Sequence, residues 1–492
     1  MSEQQDLARA GSNGGVFRVR TQPTSPAIGL AGGALTGRRG VPLMVPLPFL
    51  LTGAVAAAIF GLLAPFVLPL ALQAPDIPHV LALVHTVTLG WLTMTIMGAS
   101  LQLVPVIVVS PLRATALLRW HYPVFLGGVL CLISGFWWWQ IWLLMLGGIV
   151  IVLAVVHYVV VLGATFAHAT TRPLTVWFLT ASLVYLCLVA SLGLCLAWNF
   201  ATGFLGAGGD QVLLVHLTLG IVGWLSCTLV GVSYTLGRLF MLVHAHDDRW
   251  GKLVFGLLNG GIVLLASGAL LSWTLLIWGG GVLLMGAAGI FAGDYWRMLK
   301  ARQRKRLEVT QYHSLAATGY FVLVIVVGVV LLLSGWGETP VTWTALGLAA
   351  LVGWLGQSIV GYLYKIVPFL VWSERYGPLV GTQPVPLMRD LVHERWAWAS
   401  WWLINLSLPV MIGAALTQQV AILQAASGAL ALGLLLVLAN LLLVVRHLPP
   451  AVRKASAFYK PSWRRPSSES ISGVQRGSQT RLISPPVSPG MC

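Results

Sequence analysis

The amino-acid sequence predicts an all-α polytopic membrane protein, with 12 transmembrane helices in a pseudo-threefold arrangement of four-helix units. Three observations lead to this prediction. The composition is that of a chain buried in lipid, basic residues occur only in alternate loops between apolar runs, and one short motif occurs three times at nearly constant spacing.

The composition excludes a soluble enzyme and a disordered chain. The 492 residues are 58% hydrophobic and only 9% charged, and their mean hydropathy is +0.86. Soluble domains carry about 25% charged residues, and disordered chains lack this much apolar sequence. The five cysteines show no paired spacing, and four lie in apolar runs. Neither a disulfide framework nor a zinc site is therefore predicted.

Twelve apolar runs have approximately the length, about 20 residues, that crosses the hydrocarbon core of a bilayer. Several connections between them are very short, which predicts antiparallel neighbouring helices. We place the spans near 43–73, 80–110, 122–138, 141–165, 174–198, 211–240, 252–272, 274–293, 312–334, 341–372, 396–416 and 420–445.

Lysine and arginine divide the connecting loops into two classes. Six alternate loops, near 74–79, 139–140, 199–210, 272–274, 335–340 and 417–419, contain neither residue. The other loops and the ends of their flanking spans hold Arg113, Arg119, Arg172, Arg238, Arg249, Lys252, Arg297, Lys300, Arg302, Arg304, Lys305, Arg306, Arg375, Arg389 and Arg395. Because cytoplasmic loops carry the excess of basic residues, we expect both termini in the cytoplasm and a multi-pass protein of the cell inner (plasma) membrane.

The formal net charge of +16 does not predict a nucleic-acid partner. The basic residues lie in the tails and in alternate loops, which indicates topology and attraction to anionic membrane lipid. Residues 1–42 and 447–492 are polar and basic, and we expect them to be disordered cytoplasmic tails flanking a membrane domain at 43–446. The N-terminal residues lack the pattern of a signal peptide.

Spans 2, 6 and 10 share a motif: Trp-Leu, a small or hydroxyl residue, and a glycine seven positions after the tryptophan. The three pairs are Trp91 and Gly98, Trp224 and Gly231, and Trp354 and Gly361. Chance similarity is the alternative, since small residues recur wherever membrane helices touch. Three copies, each four spans apart, instead predict parallel repeat units at about 43–165, 174–293 and 312–446, with spans 2, 6 and 10 as an inner ring.

Two histidines occupy similar positions in this predicted ring. His85 and His216 each lie five residues into their spans, about 8 Å below the outer face at 1.5 Å per residue. Neutral imidazole is the commonest side-chain metal ligand, and helix bundles build such sites in their interiors. The alternative is that each histidine is a packing residue with a hydrogen bond to a neighbouring helix.

Other polar residues in the spans allow a functional and a structural interpretation. Thr88, Thr95 and Gln102 follow His85 on one helix face, where they could orient a ligand, line a polar cavity, or hydrogen-bond between helices. We interpret His157 and His313 as structural, the segment from His244 to Asp248 as solvated loop, and Lys365 as a side chain that snorkels to the interface. Carboxylates are almost absent from the spans, which argues against an ion-coupled transporter.

The sequence resembles the large subunit (subunit I) of haem–copper oxidases in four features. These are the twelve spans, the cytoplasmic ends, the threefold units and a span-2 histidine near the outer face. Relatives of that superfamily include nitric oxide reductases and a membrane protein of nitric-oxide stress. The resemblance covers 43–446 and is most specific around His85 with Trp91 and His216 with Trp224. It implies that His85 holds a haem and that His216 is a copper ligand.

The sequence departs from that superfamily at its other ligand positions. The superfamily places a His-His pair on span 7 and two histidines on span 10, but 252–272 and 341–372 contain none. Dioxygen reduction is therefore not expected. His85 lies six residues before its tryptophan and His216 eight, which is about half a turn of difference on an α-helix.

The resemblance implies a membrane protein that binds haem, copper or both through His85 and His216. We expect a role in respiratory electron transfer, or in handling nitric oxide or metal. Any enzymatic activity would then be that of an oxidoreductase, and the implied partners are a cytochrome, a quinol or a copper-delivery protein. The alternative is a permease or scaffold for a small uncharged solute that keeps only the fold.

Overall fold

The computed structural model describes residues 41–244, 246–334 and 339–449. The predicted tails, 1–42 and 447–492, lie almost wholly outside these residues. The 12 long helices are α1 (Pro46–Ala71), α2 (Pro78–Ile107), α3 (Thr115–Trp137), α4 (Ile141–Ala167), α5 (Leu174–Thr202), α6 (Gly206–Met241), α7 (Arg249–Leu270), α8 (Thr274–Lys300), α9 (Val309–Ser334), α10 (Pro340–Arg375), α11 (Glu394–Leu416) and α12 (Val420–Val445).

These helices confirm the prediction of an all-α polytopic membrane protein. Each is 22 to 36 residues long and apolar enough to cross a bilayer, and the described ranges contain no β-strand. The loops at one end of the bundle, 72–77, 138–140, 203–205, 271–273 and 417–419, contain no lysine or arginine, and we call this the Arg-free end. The opposite end, which holds Arg113, Arg172 and Arg304, is the basic end.

The same packing scheme occurs in three units, α1–α4, α5–α8 and α9–α12. In each unit the first helix packs against the second, and the third and fourth form a tight hairpin. The fourth helix then contacts the first helix of the next unit, so α4 packs on α5, α8 on α9 and α12 on α1. The 12 helices therefore close into a circle with pseudo-threefold symmetry.

The second helices of the units form an inner ring. In their most apolar stretches, 72% of α2, 56% of α6 and 83% of α10 is buried inside the protein. Eight of the other nine helices are only 22–44% buried by the same measure, and α1 is 56% buried. Lipid-facing surface is thus concentrated on the outer helices, as the threefold prediction requires.

Each inner helix changes from α- to π-helical geometry at the same place. The π-helical segments are Thr86–Thr93 in α2, Thr218–Ser226 in α6 and Ala349–Gly356 in α10. Each segment ends two residues after the motif tryptophan. π-Helices are rare and mostly single-turn features, so three of them at matching positions show that the repeated motif is a structural repeat.

The motif tryptophans, Trp91, Trp224 and Trp354, form a layer across the inner ring that we call the tryptophan layer. Two of the three indoles join consecutive units. Trp224 Nε1 donates to Thr93 Oγ1 at 2.9 Å, and Trp354 Nε1 donates to Ser226 Oγ at 2.8 Å. The hydroxyl residue after Trp-Leu is therefore the acceptor for the indole of the following unit.

The third link of this layer is missing. The acceptor position in the third unit is Gly356, which has no hydroxyl, and Trp91 Nε1 is buried without a partner in the described chain. A Cβ at Gly356 would come within 2.6 Å of the Trp91 benzo ring. The indole therefore occupies the space that an acceptor side chain at this position would need.

The motif glycines allow the inner helices to approach the first helices of their units. A Cβ at each motif glycine would come far too close to the Cβ of one residue on the first helix of its unit. The pairs are Gly98 with Phe49 at 2.5 Å, Gly231 with Phe178 at 2.2 Å, and Gly361 with His313 at 2.9 Å. The glycine directly before each motif tryptophan contacts the same first helix seven residues later, at Ala56, Tyr185 and Tyr320. His313 therefore takes the place of the phenylalanine found in the other two units.

Two interpretations of polar residues near the basic end are wrong. Lys365 does not snorkel, because it is only 7% exposed and forms an ion pair with Glu308. His246 is not a solvated loop residue, since its Nε2 lies 3.2 Å from an oxygen of the fully buried Asp294. Pairing removes the need for these side chains to reach water.

Candidate functional site

His85 and His216 take equivalent places at the Arg-free end of the inner ring. Each lies seven residues after the first residue of its α-helical segment, Pro78 in α2 and Gly209 in α6. His85 is the last residue of its α-helical segment and His216 is the last but one, directly before the π-helical turns. Both side chains are half-buried.

The backbone fixes the tautomer of His85. Its Nδ1 lies 2.8 Å from the carbonyl oxygen of Leu81, one turn earlier in α2. A carbonyl can only accept, so Nδ1 carries the proton and the lone pair is on Nε2. The ring also stacks on Phe136 of α3, with centroids 4.9 Å apart and planes 24° from parallel. Metal-bound histidines have this same arrangement, with the second nitrogen held by a carbonyl.

His216 packs against α5 with one nitrogen unpaired. Its Nδ1 is buried and has no hydrogen-bond partner among the residues that the structure describes. The ring edge lies over Gly193, where a Cβ would come within 3.1 Å of Cε1. Glycine at this position is what lets the imidazole approach the α5 backbone closely.

Aromatic contacts join the surroundings of the two histidines. Phe136, which stacks on His85, meets Phe200 of α5 edge-on at 6.3 Å. Phe200 and Gly193 are seven residues apart, two helical turns, and so lie on the same face of α5. The two imidazoles therefore lie in the same region of the bundle, where α2 and α3 of the first unit meet α5 and α6 of the second.

The three polar residues below His85 bond mainly within their own helix. Thr88 Oγ1 donates to the carbonyl of Val84 at 3.0 Å, and Thr95 Oγ1 donates to that of Trp91 at 2.7 Å. Gln102 is buried, and its Oε1 has no partner in the described ranges. The group that orients His85 is thus the Leu81 carbonyl and not a threonine. Of the three, Thr95 lines the cavity described next.

A cavity of about 40 Å³ lies within the inner ring, between the tryptophan layer and the basic end. It is lined almost entirely by apolar side chains of α2, α5, α6 and α10. The Oγ1 of Thr228, on its wall, is buried without a partner in the structure as described. A water needs about 10–15 Å³ measured in this way, so the cavity has room for a molecule of only a few heavy atoms.

The structure also contains three histidines inside the bundle that the sequence pattern does not single out as a site, namely His121, His157 and His313. His121 was not recognised because the predicted third span begins at 122, whereas α3 begins at Thr115. It is 3% exposed and faces His157 of α4, with 3.4 Å between the two Nδ1 atoms. His313 Nδ1 bonds Gln357 Oε1 at 3.1 Å, and Gln357 in turn bonds Asn405.

The donor set around His85 and His216 determines which group they could hold. No group of three or more histidine, cysteine, aspartate or glutamate side chains suited to a metal ion occurs in the described residues. A zinc ion takes four ligands, usually three or four from protein, whereas haem iron receives four nitrogens from the porphyrin and needs at most two from the chain. The free Nε2 of His85 could ligate haem iron or a copper ion of low coordination number, and His216 could supply at most one more donor, since its Nδ1 is buried against the α5 backbone.

Comparison with known proteins adds no identification. No protein-family model matches this chain, and no curated protein matches it. The functional conclusion therefore depends on the residues and their geometry.

Proposed function

We propose that this protein binds haem, or a copper ion, between His85 and His216 near the external face of the membrane. The observation that supports the proposal is the pair of half-buried imidazoles at matching positions of α2 and α6, with the tautomer of one fixed for ligation. Haem is the better fit of the two, because the described residues offer no more than these two histidine donors at this end of the inner ring.

Several residues would each have a separate role in such a site. Leu81 holds His85 so that Nε2 offers its lone pair, and Phe136 fixes the plane of the ring. Gly193 leaves room for the imidazole of His216. Phe136 and Phe200 supply aromatic surface beside these histidines, which would lower the local dielectric around a bound group and tune its redox potential. The bound group would supply one-electron redox chemistry.

The role that follows is electron transfer in or beside a respiratory chain, or the handling of nitric oxide or metal, and not reduction of dioxygen. The histidines that would hold a second haem and complete a three-histidine copper site are missing from spans 7 and 10. A cytochrome, a quinol or a copper-delivery protein is the class of partner that exchanges electrons or metal with such a site.

Absorption spectra and metal analysis of the detergent-purified full-length protein test this proposal. We expect a Soret band, or stoichiometric copper, that falls at least tenfold in His85→Ala and in His216→Ala, since removing a ligand exceeds the 10–100-fold effect range of outer-shell changes. His79→Ala is the matched control, because His79 lies on the same helix and only contacts Trp137 edge-on. A Soret band or copper content that both site variants retain would contradict the proposal.

A permease or scaffold for a small uncharged solute is the second candidate. The observation that favours it is the apolar cavity of about 40 Å³ in the inner ring. The two candidates differ in what the purified protein contains. A colourless preparation without iron or copper, from cells supplied with both, would favour the permease and count against the first proposal.

A further inference from the structure

Cations and tryptophans from three helices meet on the outer surface of the second unit, at its basic end. All of them lie in the first residues of α5 and α7 or in the last residues of α8. This is the depth at which lipid headgroups and interfacial aromatic residues meet. We call this surface the basic–aromatic patch, which consists of Trp177, Arg249, Trp250, Lys252, Trp296, Arg297 and Lys300.

Cation–π contacts join the three helices of the patch. The Arg297 guanidinium lies 4.5 Å from the ring centroid of Trp250 on α7, and Arg249 lies 5.4 Å from the same ring. Lys252 Nζ lies 6.0 Å from the ring of Trp177 on α5. A helix turns by about 100° per residue, so Arg249 lies between Trp250 and Lys252 around the axis of α7. The patch therefore extends across the width of α7, from α5 to α8.

Two cations of the patch have no carboxylate partner. The two arginines lie 2.9 and 3.8 Å from the carboxylates of Asp247 and Asp294. Lys252 and Lys300, in contrast, form no ion pair within the part of the chain that the structure describes. Both lysine side chains are exposed. The patch therefore presents uncompensated positive charge to the membrane interface.

The surface next to the patch, toward the Arg-free end, is aliphatic. Val184 and Leu188 of α5 and Leu253 and Val263 of α7 are 43–55% exposed. From the basic end inward, these helices thus present cations, then tryptophan rings, then aliphatic side chains. A phospholipid has the complementary order of an anionic headgroup, a glycerol backbone and acyl chains.

Membrane orientation alone does not account for this arrangement. Orientation depends on how many basic residues a loop carries, and the loop directly after α8 supplies Arg302, Arg304, Lys305 and Arg306. It requires neither that cations converge from several helices nor that they lie against tryptophan rings. Basic pockets between transmembrane helices are, by contrast, typical sites for anionic headgroups.

The other two units have only part of the patch. An Arg-Trp pair also occurs at the start of α3, at 119–120, and of α11, at 395–396. The last turns of α4 and α12 contain no basic residue, whereas that of α8 contains Arg297 and Lys300. Both hairpin helices therefore supply cations in the second unit alone.

We propose that the basic–aromatic patch binds one anionic phospholipid from the leaflet at the basic end of the bundle. The cations of α7 and α8 hold the phosphate, Trp177 and Trp296 lie beside the glycerol backbone, and the acyl chains run along α5 and α7. This site is independent of the proposed haem or copper site, which is at the opposite end.

Native mass spectrometry of the detergent-purified full-length protein, titrated with phosphatidylglycerol or phosphatidylcholine, tests the proposal. We expect one phosphatidylglycerol to bind about 30-fold or more tightly than phosphatidylcholine. Lys252→Gln with Lys300→Gln should lose most of this preference, about fivefold for each lysine. Binding of phosphatidylcholine should not change, since neither lysine has an ion pair to lose.

Matched variants separate a defined site from general charge. Lys305→Gln with Arg306→Gln removes the same charge from the exposed loop after α8, outside the patch, and should leave the preference intact. Lys252→Arg with Lys300→Arg keeps the charge and should also keep it. An equal loss in the loop variant, or a preference that survives the glutamine substitutions at Lys252 and Lys300, would overturn the proposal.

Inorganic phosphate tests whether the ligand is a lipid. The acyl chains contribute to binding if a lipid occupies the patch, so phosphate at the same concentration as phosphatidylglycerol should not displace it. Displacement by equimolar phosphate would assign the patch to a free anion and contradict the proposal.

Discussion

The first and third units share one backbone scheme but carry different chemistry. In the first unit the inner helix carries His85 before its π-helical segment, and the first helix offers Phe49 to the motif glycine. In the third unit no histidine precedes the π-helical segment, and His313 stands in place of the phenylalanine. His313 opens a buried chain of hydrogen bonds that the first unit lacks.

This difference separates what the fold requires from what the function requires. Glycines at the close contacts, tryptophans in the central layer and π-helical segments recur in all three units, so they belong to the architecture. The imidazoles of His85, His216 and His313, in contrast, do not recur at matching positions of all three units. Residues that break the repeat are therefore the best candidates for function, and the following substitutions test that distinction.

The largest effect is expected from the motif glycines. Gly231→Ala would place a Cβ 2.2 Å from the Cβ of Phe178, which cannot move without its helix. We expect a loss of about 3 kcal/mol or more, seen as a lower midpoint of thermal unfolding in detergent. Gly361→Ala, with 2.9 Å available, should cost less. Gly289→Ala is the control, since nothing lies within 4 Å of its Cβ; equal losses in all three variants would refute the repeat contact.

The tryptophan layer should show the next largest effect. Thr93→Val keeps the shape of the side chain but leaves the indole N–H of Trp224 buried and unpaired. Such a loss costs about 1–3 kcal/mol, measurable by thermal unfolding and by the tryptophan emission. Thr86→Val in the same helix serves as the control, because Thr86 bonds only the Ala82 carbonyl of its own helix. If both variants unfold alike, the link between units contributes nothing.

His313→Phe gives the third unit the aromatic residue of the other two. The substitution keeps the contact with Gly361 but removes the hydrogen bond to Gln357. We expect a loss of about 0.5–1.5 kcal/mol, again by thermal unfolding. Unchanged or increased stability would show that His313 serves only as a packing residue, like its counterparts.

The smallest effect is expected at Thr228, on the wall of the central cavity. Its hydroxyl has no partner within the described residues, so Thr228→Val should change stability by less than about 0.5 kcal/mol or increase it slightly. Thr95→Val, which removes the bond to the Trp91 carbonyl, is the comparison. A clear loss at Thr228 would mean that its hydroxyl is bonded to a molecule inside the cavity.

The number of spans could be predicted because it follows from the number and length of the apolar runs. The threefold repeat could be predicted because the motif tryptophans are nearly evenly spaced. The alternation of Arg113, Arg172 and their counterparts with uncharged loops counts the helices without any knowledge of packing. The spacing of Trp91, Trp224 and Trp354 reveals the units, since each copy meets the same neighbours. Both patterns can be read from residue positions along the sequence without knowledge of the three-dimensional structure.

The details of the site depended on geometry that the sequence pattern does not encode. The half-turn difference between His85 and His216 was estimated for an α-helix, but the residues that follow them are π-helical, with i→i+5 hydrogen bonds. The start of α3 seven residues before the predicted span hid His121. The ion pair of Lys365 is not evident from the sequence because its partner, Glu308, lies 57 positions earlier, in the loop directly before α9.

The packing of α12 against α1 makes the bundle a closed circuit in which no unit is first. Pro46 and Val445 begin and end that circuit at the basic end, so a peptide joining them could replace the connection between α4 and α5 as the covalent bridge there. A circularly permuted chain would keep every interhelical interface. The order of the three units along the chain could therefore change without altering their packing. The units differ from one another mainly in a few polar side chains that are not repeated.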